Sequence, residues 1–331
     1  MVQVKTVSRG RAPQGRAGAR GDPAVARWIE RTLAEDPPRA KSLVITLWGD
    51  ALAPHGGAVW LSGLIRLLAP FGISERLTRT SVFRLARDGW LEAETRGRHS
   101  RYRLTRAGAE RFAQAYRRIY APPDPVWDGR WELVLIAGAA LRPSTRNALR
   151  DELSWEGFGT IAPGVCVRPA HGESAVVRIA SSLGVLPVVT VLDAREDPAF
   201  AGAPMASRVA SAWDLATIAN GYRRFIALFG DVIGAFTARG SDGRDAEQCF
   251  VVRTLLIHAF RRVLLRDPQL PRALLPPDWP GTQAYTLTRD FYRVTQKLAE
   301  RHLAATLVAD GETLPPADDA FYDRFGGLLS D

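Results

Sequence analysis

Between Ser74 and Leu91 the chain reads SERLTRTSVFRLARDGWL, with four arginines and no lysine. A guanidinium presents parallel N–H donors in a fixed fork, which matches guanine O6/N7 or a phosphate as lysine's point charge does not. On a helix, Arg76, Thr80, Phe83 and Arg87 stand at i, i+4, i+7 and i+11 and share one face, with Arg79 flanking it. Leu77, Ser81 and Leu85, four apart, lie on another face suited to packing against a preceding helix. The chemistry on offer is recognition of a polyanion. Base reading in a helix-turn-helix comes mainly from the N-terminal half of the second helix. Arg76, Thr78, Arg79 and Thr80 are therefore expected at base edges and Arg84 and Arg87 at phosphates, with Ser81 a further candidate contact. Phe83 suits a thymine methyl or packing on a neighbouring domain.

A second basic cluster follows at Arg96, Arg98, His99, Ser100 and Arg101. Like charges at a hairpin tip repel unless an anion lies between them, so a wing along a DNA groove gives the segment a purpose. A harmless basic turn is the alternative. The elements that must position both clusters can be read from the same stretch. AKSLVITLWGDAL (40–52) has the pattern of a helix, and AVWLSGLIRLLAPFG (58–72) that of a short strand running into another. Ser74 is a good N-cap and Gly89 a good helix end. WLEAET (90–95) and SRYRLT (100–105) alternate as strands about the turn RGRH (96–99). Three helices and a hairpin make a winged helix-turn-helix, closed by a helix over 106–120.

The charge distribution agrees with that reading. Residues 38–121 hold fifteen Lys/Arg against six Asp/Glu, a net of +9, which equals the net charge of the whole 331-residue chain. Residues 122–331 are net −3. A localised positive field attracts the DNA backbone, whereas scattered charge would suggest only a solvated surface. The two cysteines, Cys166 and Cys249, allow neither a disulfide framework nor a cysteine metal cluster and read as small buried hydrophobes. No apolar run approaches the ~20 residues of a membrane span. The first residues lack the apolar core of a signal peptide, so a cytoplasmic location is expected.

The expected architecture is multidomain α+β. Residues 1–37, rich in Gly, Ala and Arg, are expected to be a flexible basic arm with a short helix near 24–34, free to touch phosphates or merely a tail. The winged helix-turn-helix spans 38–121. A domain over 126–204 follows, with a strand at 130–138, a helix at 144–158 capped by Ser144, and strands at 161–169 and 186–194, a ferredoxin-like pattern. From 205 to 310 the pattern is helical. Leu215, Ile218, Tyr222, Phe225, Phe229, Val232 and Phe236 alternate at spacings of 3 and 4, an internal seam or a dimer interface. AEQCFVVRTLLIHAFRRVLL (246–265) is apolar nearly all round and should be buried. A third helix spans about 282–307, and 311–331 is left as a tail.

The stretch from SLVITLWGDAL to SRYRLT, together with WDGRWELVLI (127–136), LRDELSWEGFGTIAPGVCVRP (149–169) and RRVLLRDPQLPRALLPPDWPG (261–281), closely resembles the PaaX family, bacterial repressors of phenylacetic acid degradation. The resemblance covers roughly residues 40–305. It implies a dimeric repressor of a phenylacetate catabolic operon. Operator DNA would be released when phenylacetyl-coenzyme A or a related aryl-CoA thioester binds. Such an effector needs donors for its phosphates and an apolar slot for its aryl tail. Arg261, Arg262 and Arg266, with Trp279 in a proline-rich loop, are candidates. The competing account pairs Asp267 locally, places Trp279 in the core and leaves the arginines to water or a partner subunit.

The central domain of that family also resembles the CRISPR-associated adaptation nucleases, which hold a metal with an aspartate at the end of their first strand. Here that strand ends LVLIAGAA (133–140) without an acid, and a Mg²⁺ site lacks its hard oxygen ligand. The chain shows no P-loop, dinucleotide fingerprint or catalytic triad. No catalytic residue, metal or cofactor is therefore expected, the regulatory acyl-CoA aside. A metal-dependent nuclease and an effector-independent DNA binder remain as rivals.

Overall fold

The structure, a computed structural model, describes residues 21–97, 99–122, 127–137, 141–170, 174–197, 199, 204–238, 244–308 and 313–328, the Arg96 side chain excepted. Helix α1 spans Pro23–Glu35 and α2 Ala40–Leu47. The expected single helix over 40–52 is interrupted, because Trp48–Leu52 forms one π-helical turn that turns Asp50 into the core. Strand β1 (Ala58–Trp60) leads into α3 (Leu61–Leu68) and α4 (Glu75–Arg87). Ser74 caps α4, its hydroxyl accepting from Leu77 N. The helix stops at Gly89, in the left-handed region at φ +72°. Gly89 N donates to Ala86 O and Trp90 N to Leu85 O, which is the Schellman arrangement. Strands β2 (Leu91–Arg96) and β3 (His99–Leu104) form the expected hairpin, and α5 (Arg106–Tyr120) closes the unit. The sheet is antiparallel in the order β1-β3-β2, with Val59 and Ala93 both opposite Tyr102.

The central unit comprises β4 (Arg130–Ile136), α6 (Pro143–Trp155), β5 (Gly159–Ala162), β6 (Val165–Pro169), α7 (Val176–Ser182) and β7 (Val189–Arg195). Its order β5-β6-β4-β7, antiparallel throughout, is that of a ferredoxin-like sheet. Two details differ from the sequence reading. The segment 161–169 is a hairpin rather than one strand, because Gly164 turns it at φ +76°. Helix α6 starts with Pro143 after Arg142, so Ser144 is not its cap; proline's fixed φ suits a first helical position. A separate core of Val134, Leu149, Leu153, Phe158, Val176 and Ile179 holds the helices to the sheet.

The remaining helices are α8 (Met205–Ala212), α9 (Leu215–Ala238), α10 (Ala246–Leu264), α11 (Pro280–Val308) and α12 (Asp319–Tyr322). Six of the seven seam residues of α9 are buried inside the chain. Helix α10 is buried almost all round, as its composition requires.

The N-terminal and C-terminal units do not have separate cores: α10 packs on α2 and α11 on α3, within one continuous cluster. Two expectations are corrected by that cluster. Of the presumed arm, α1 is docked, with Trp28 buried, its ring 5.3 Å from Phe229 and its Nε1 donating to Leu228 O at 3.1 Å; residues 1–20 lie outside the described ones. The presumed tail is also anchored, since Phe321, Arg324, Phe325 and Leu328 are buried.

Candidate nucleic-acid interface

One side of α4 is committed to packing. Thr78, Ser81, Val82 and Leu85 are buried against α2 and α3. Thr78 is fully buried and its hydroxyl donates to Ser74 O at 3.1 Å. This corrects the assignment of Thr78 and Ser81 to DNA: position i+4 from Ser74 turns inward, and a hydroxyl there satisfies the backbone. The opposite side is solvent-exposed and carries Arg76, Arg79, Thr80, Phe83, Arg84 and Arg87. Leu77, expected to pack, is 49% exposed, and Phe83 is 65% exposed. Large apolar groups left in water beside arginines suit a surface that is covered when a partner binds.

The charged groups are pre-arranged. Arg79 donates from Nε and Nη2 to Glu75 Oε1 at 2.9 and 2.7 Å, an exposed i,i+4 pair that orients the guanidinium more than it stabilises the fold. Thr80 donates to Arg76 O at 2.9 Å. Arg84 and Arg87 occupy the last turn, where the helix dipole favours cations. Beyond it, Lys41 bonds to Asp88 at 2.6 Å and holds that carboxyl below the usual carboxylate range.

At the hairpin, Arg96 pairs with His99 across the turn at Gly97, φ +61°. Arg98 and the Arg96 side chain lie outside the described residues. His99 is exposed, its ring edge-on to Trp60 at 6.2 Å, and Ser100 is half-exposed opposite Thr95. Arg101, beside the tip, falls in the expected strand. It lies opposite Trp60 in the middle of the sheet, partly buried, and lines a small cavity with His55 and Pro315.

The four residues expected around an effector do not form one site. Trp279 is buried with its ring 6.0 Å from Tyr222, so it fills the core. Arg262 is exposed and faces Asp36 at 3.5 Å, and Arg266 is exposed. Asp267 is buried and accepts from Tyr222 Oη at 2.7 Å. Arg261 alone reaches inward: its Nε donates to Thr46 Oγ1 at 2.7 Å and its Nη2 to Ser42 O at 2.8 Å. Beside it, burial and the guanidinium groups of Arg261 and Arg262 hold His258 down to about 3 and therefore neutral.

Sequence reasoning missed a buried polar network beneath the interface. Asp50 accepts from Tyr120, Tyr292 and Arg324 at 2.6, 3.0 and 3.2 Å, and its other oxygen lies 3.4 Å from Arg253 Nε. Arg253 donates to Glu300, which bonds to His55 at 2.8 Å. His55 Nδ1 in turn bonds to Pro315 O. The available signal was an Asp and an Arg inside apolar runs, since buried charges occur paired.

Comparison with known proteins places this geometry in a family. Residues 39–108 match the PaaX-like protein model, 124–206 the PaaX protein central Cas2-like domain, and 213–305 the PaaX-like protein C-terminal domain. The chain belongs to the PaaX family. It is 35% identical over 305 residues to the transcriptional repressor PaaX of Escherichia coli (strain K12), covering 91% of this chain and 94% of that protein. An uncharacterized protein from Mycobacterium tuberculosis has a similar structure, with TM-score 0.53 and 28% identity over 81% of this chain and 98% of that one. Among the described residues, no helix is long and apolar enough to cross a membrane.

Proposed function

We propose that the protein is a DNA-binding transcriptional repressor in which α2 to α4 and the β1–β3 sheet act as a winged helix-turn-helix. The reading rests above all on α4, whose buried side anchors it to α2 and α3 while its other side presents Arg76, Arg79, Thr80, Arg84 and Arg87 to solvent. Arg76, Arg79 and Thr80 read base edges, Arg84 and Arg87 hold phosphates, and Arg96, Arg98, His99 and Ser100 follow a groove as the wing. Phosphate contacts supply salt-sensitive affinity and the few Arg-to-base pairs supply sequence choice. A homodimer places two reading helices on half-sites about one helical turn apart, ~34–36 Å. Release follows when an aryl-CoA thioester such as phenylacetyl-CoA favours a subunit arrangement that misplaces them, and the operon controlled is one for phenylacetate catabolism. The name of the Escherichia coli relative supports the repressor role.

The test is a gel shift on the DNA upstream of the protein's own gene, titrated with phenylacetyl-CoA and with free phenylacetate. Sequence-selective retardation, reversed by the thioester, is the expected result. Equal binding to random DNA at matched salt would instead mean an effector-independent binder, and cleavage with Mg²⁺ or Mn²⁺ a nuclease.

A further inference from the structure

Among the described residues, the most exposed large apolar side chain is Phe83, at 65%. It stands on the same face of α4 as the arginines. A helix turns about 100° per residue, so Arg76, Phe83 and Arg87 fall within about 40° of one another around its axis. The buried Thr78, Val82 and Leu85 are centred on the opposite side. Phe83 therefore projects from the middle of the reading face, where a helix lying in a groove comes nearest the base edges. Leu77, the other exposed apolar residue of α4, points about a third of a turn away from Phe83.

The surroundings of Phe83 narrow what can cover it. Thr80, three positions earlier, donates its hydroxyl to Arg76 O at 2.9 Å, which leaves its γ-methyl as the branch not tied to the backbone. Arg79, one turn earlier, is held by Glu75. A phenyl ring kept in water gains free energy when binding covers it. A phosphate cannot supply that cover without losing its own hydration, and the polar edge of a base would lose hydrogen bonds against the ring. One group in the major groove of DNA is apolar, the C5-methyl of thymine.

We propose that Phe83 selects a thymine in the DNA site by packing its ring, together with the Thr80 methyl, on the thymine C5-methyl group. This rests on the repressor reading and adds to it a contact that discriminates by shape and apolar area, where the arginines discriminate by hydrogen bonds. At 1.5 Å of rise per residue, Phe83 stands about 6 Å along the axis from Arg79. Base pairs are stacked about 3.4 Å apart, so the selected thymine lies one or two steps from the base that Arg79 reads.

The experiment begins with a pool of random DNA duplexes, from which the full-length protein selects its own site at fixed salt. Each thymine of that site is then replaced singly by uracil, which keeps the base pairing and the O4 acceptor and lacks the methyl. At least one replacement should weaken binding about fourfold, the effect of leaving one methyl group unburied. Phe83→Ala should bind that uracil duplex and its thymine parent alike, whereas Leu77→Ala should retain the full penalty. Phe83 is mostly in solvent, so Phe83→Ala should melt at the wild-type temperature. A selected site in which no uracil replacement weakens binding overturns the contact and leaves the repressor reading standing, and so does a penalty undiminished in Phe83→Ala. A pool from which no sequence is enriched retires the repressor reading and the contact with it.

Discussion

Arg79 is held by Glu75 in the free protein, so under the proposed reading its guanidinium would meet a groove already partly ordered. Arg79→Ala is expected to relax base preference at one position of the operator, at about 1–3 kcal/mol; competition among operator variants measures it. Arg84→Ala, at a proposed phosphate contact, should weaken all sequences alike and flatten the salt dependence by roughly one ion. His258 makes stability depend on pH. Its folded pKa, about 3, lies below the ordinary histidine value, so the unfolded chain binds the extra proton. Stability from this group is complete above about pH 6.5 and is lost as pH falls toward 3, by at most roughly 5 kcal/mol. Urea unfolding across that range should show an acid limb that flattens in His258→Gln. In the buried network, Arg253 has no exposed surface and links Asp50 with Glu300. Arg253→Met leaves those carboxylates short of a partner and should cost about 3–5 kcal/mol in the same assay.

At the scale of elements, the ends of α4 matter as much as its middle. Its start is set by Ser74 and its end by Gly89, after which the chain runs directly into β2. Close packing behind that junction is tested at Gly108, on α5. A Cβ there would meet Trp90 O at 2.2 Å, a backbone atom that cannot step aside. Gly108→Ala is therefore expected to separate α5 from the end of α4, lowering the melting temperature and weakening DNA binding together. A lowered melting temperature with unchanged operator affinity would show that α4 does not depend on this contact.

The whole molecule is organised around a shared core rather than a string of modules. Tyr116, Tyr120 and Asp50 of the N-terminal unit surround Arg324, which arrives from the far end of the chain and stacks 4.1 Å from the Tyr120 ring. Asp318 N donates to Pro54 O at 3.0 Å in the same region. Deleting residues 313–331 strips Asp50 of a buried cation and uncovers the rings beneath Phe321 and Phe325. The truncated protein should lose several kcal/mol of stability, and the N-terminal unit should melt with the rest rather than survive as a folded remnant. Proteolysis and calorimetry distinguish the two outcomes.

Local rules were enough for much of this. The capped helix at 75–87, the hairpin after it and the apolar seam of α9 follow from side-chain period, caps and turn residues, which act within a few positions along the chain. The sequence alone also determined the basic field of residues 38–121 and the family. Only tertiary structure decided that Thr78 faces inward, that Arg101 is partly buried and lines a cavity with His55 and Pro315, and that Arg261 parts company with Arg262 and Trp279. It also decided that α1 and residues 313–328 are docked. The reason is physical: whether a polar group is buried, and what partners it, depends on residues hundreds of positions away that no local pattern records.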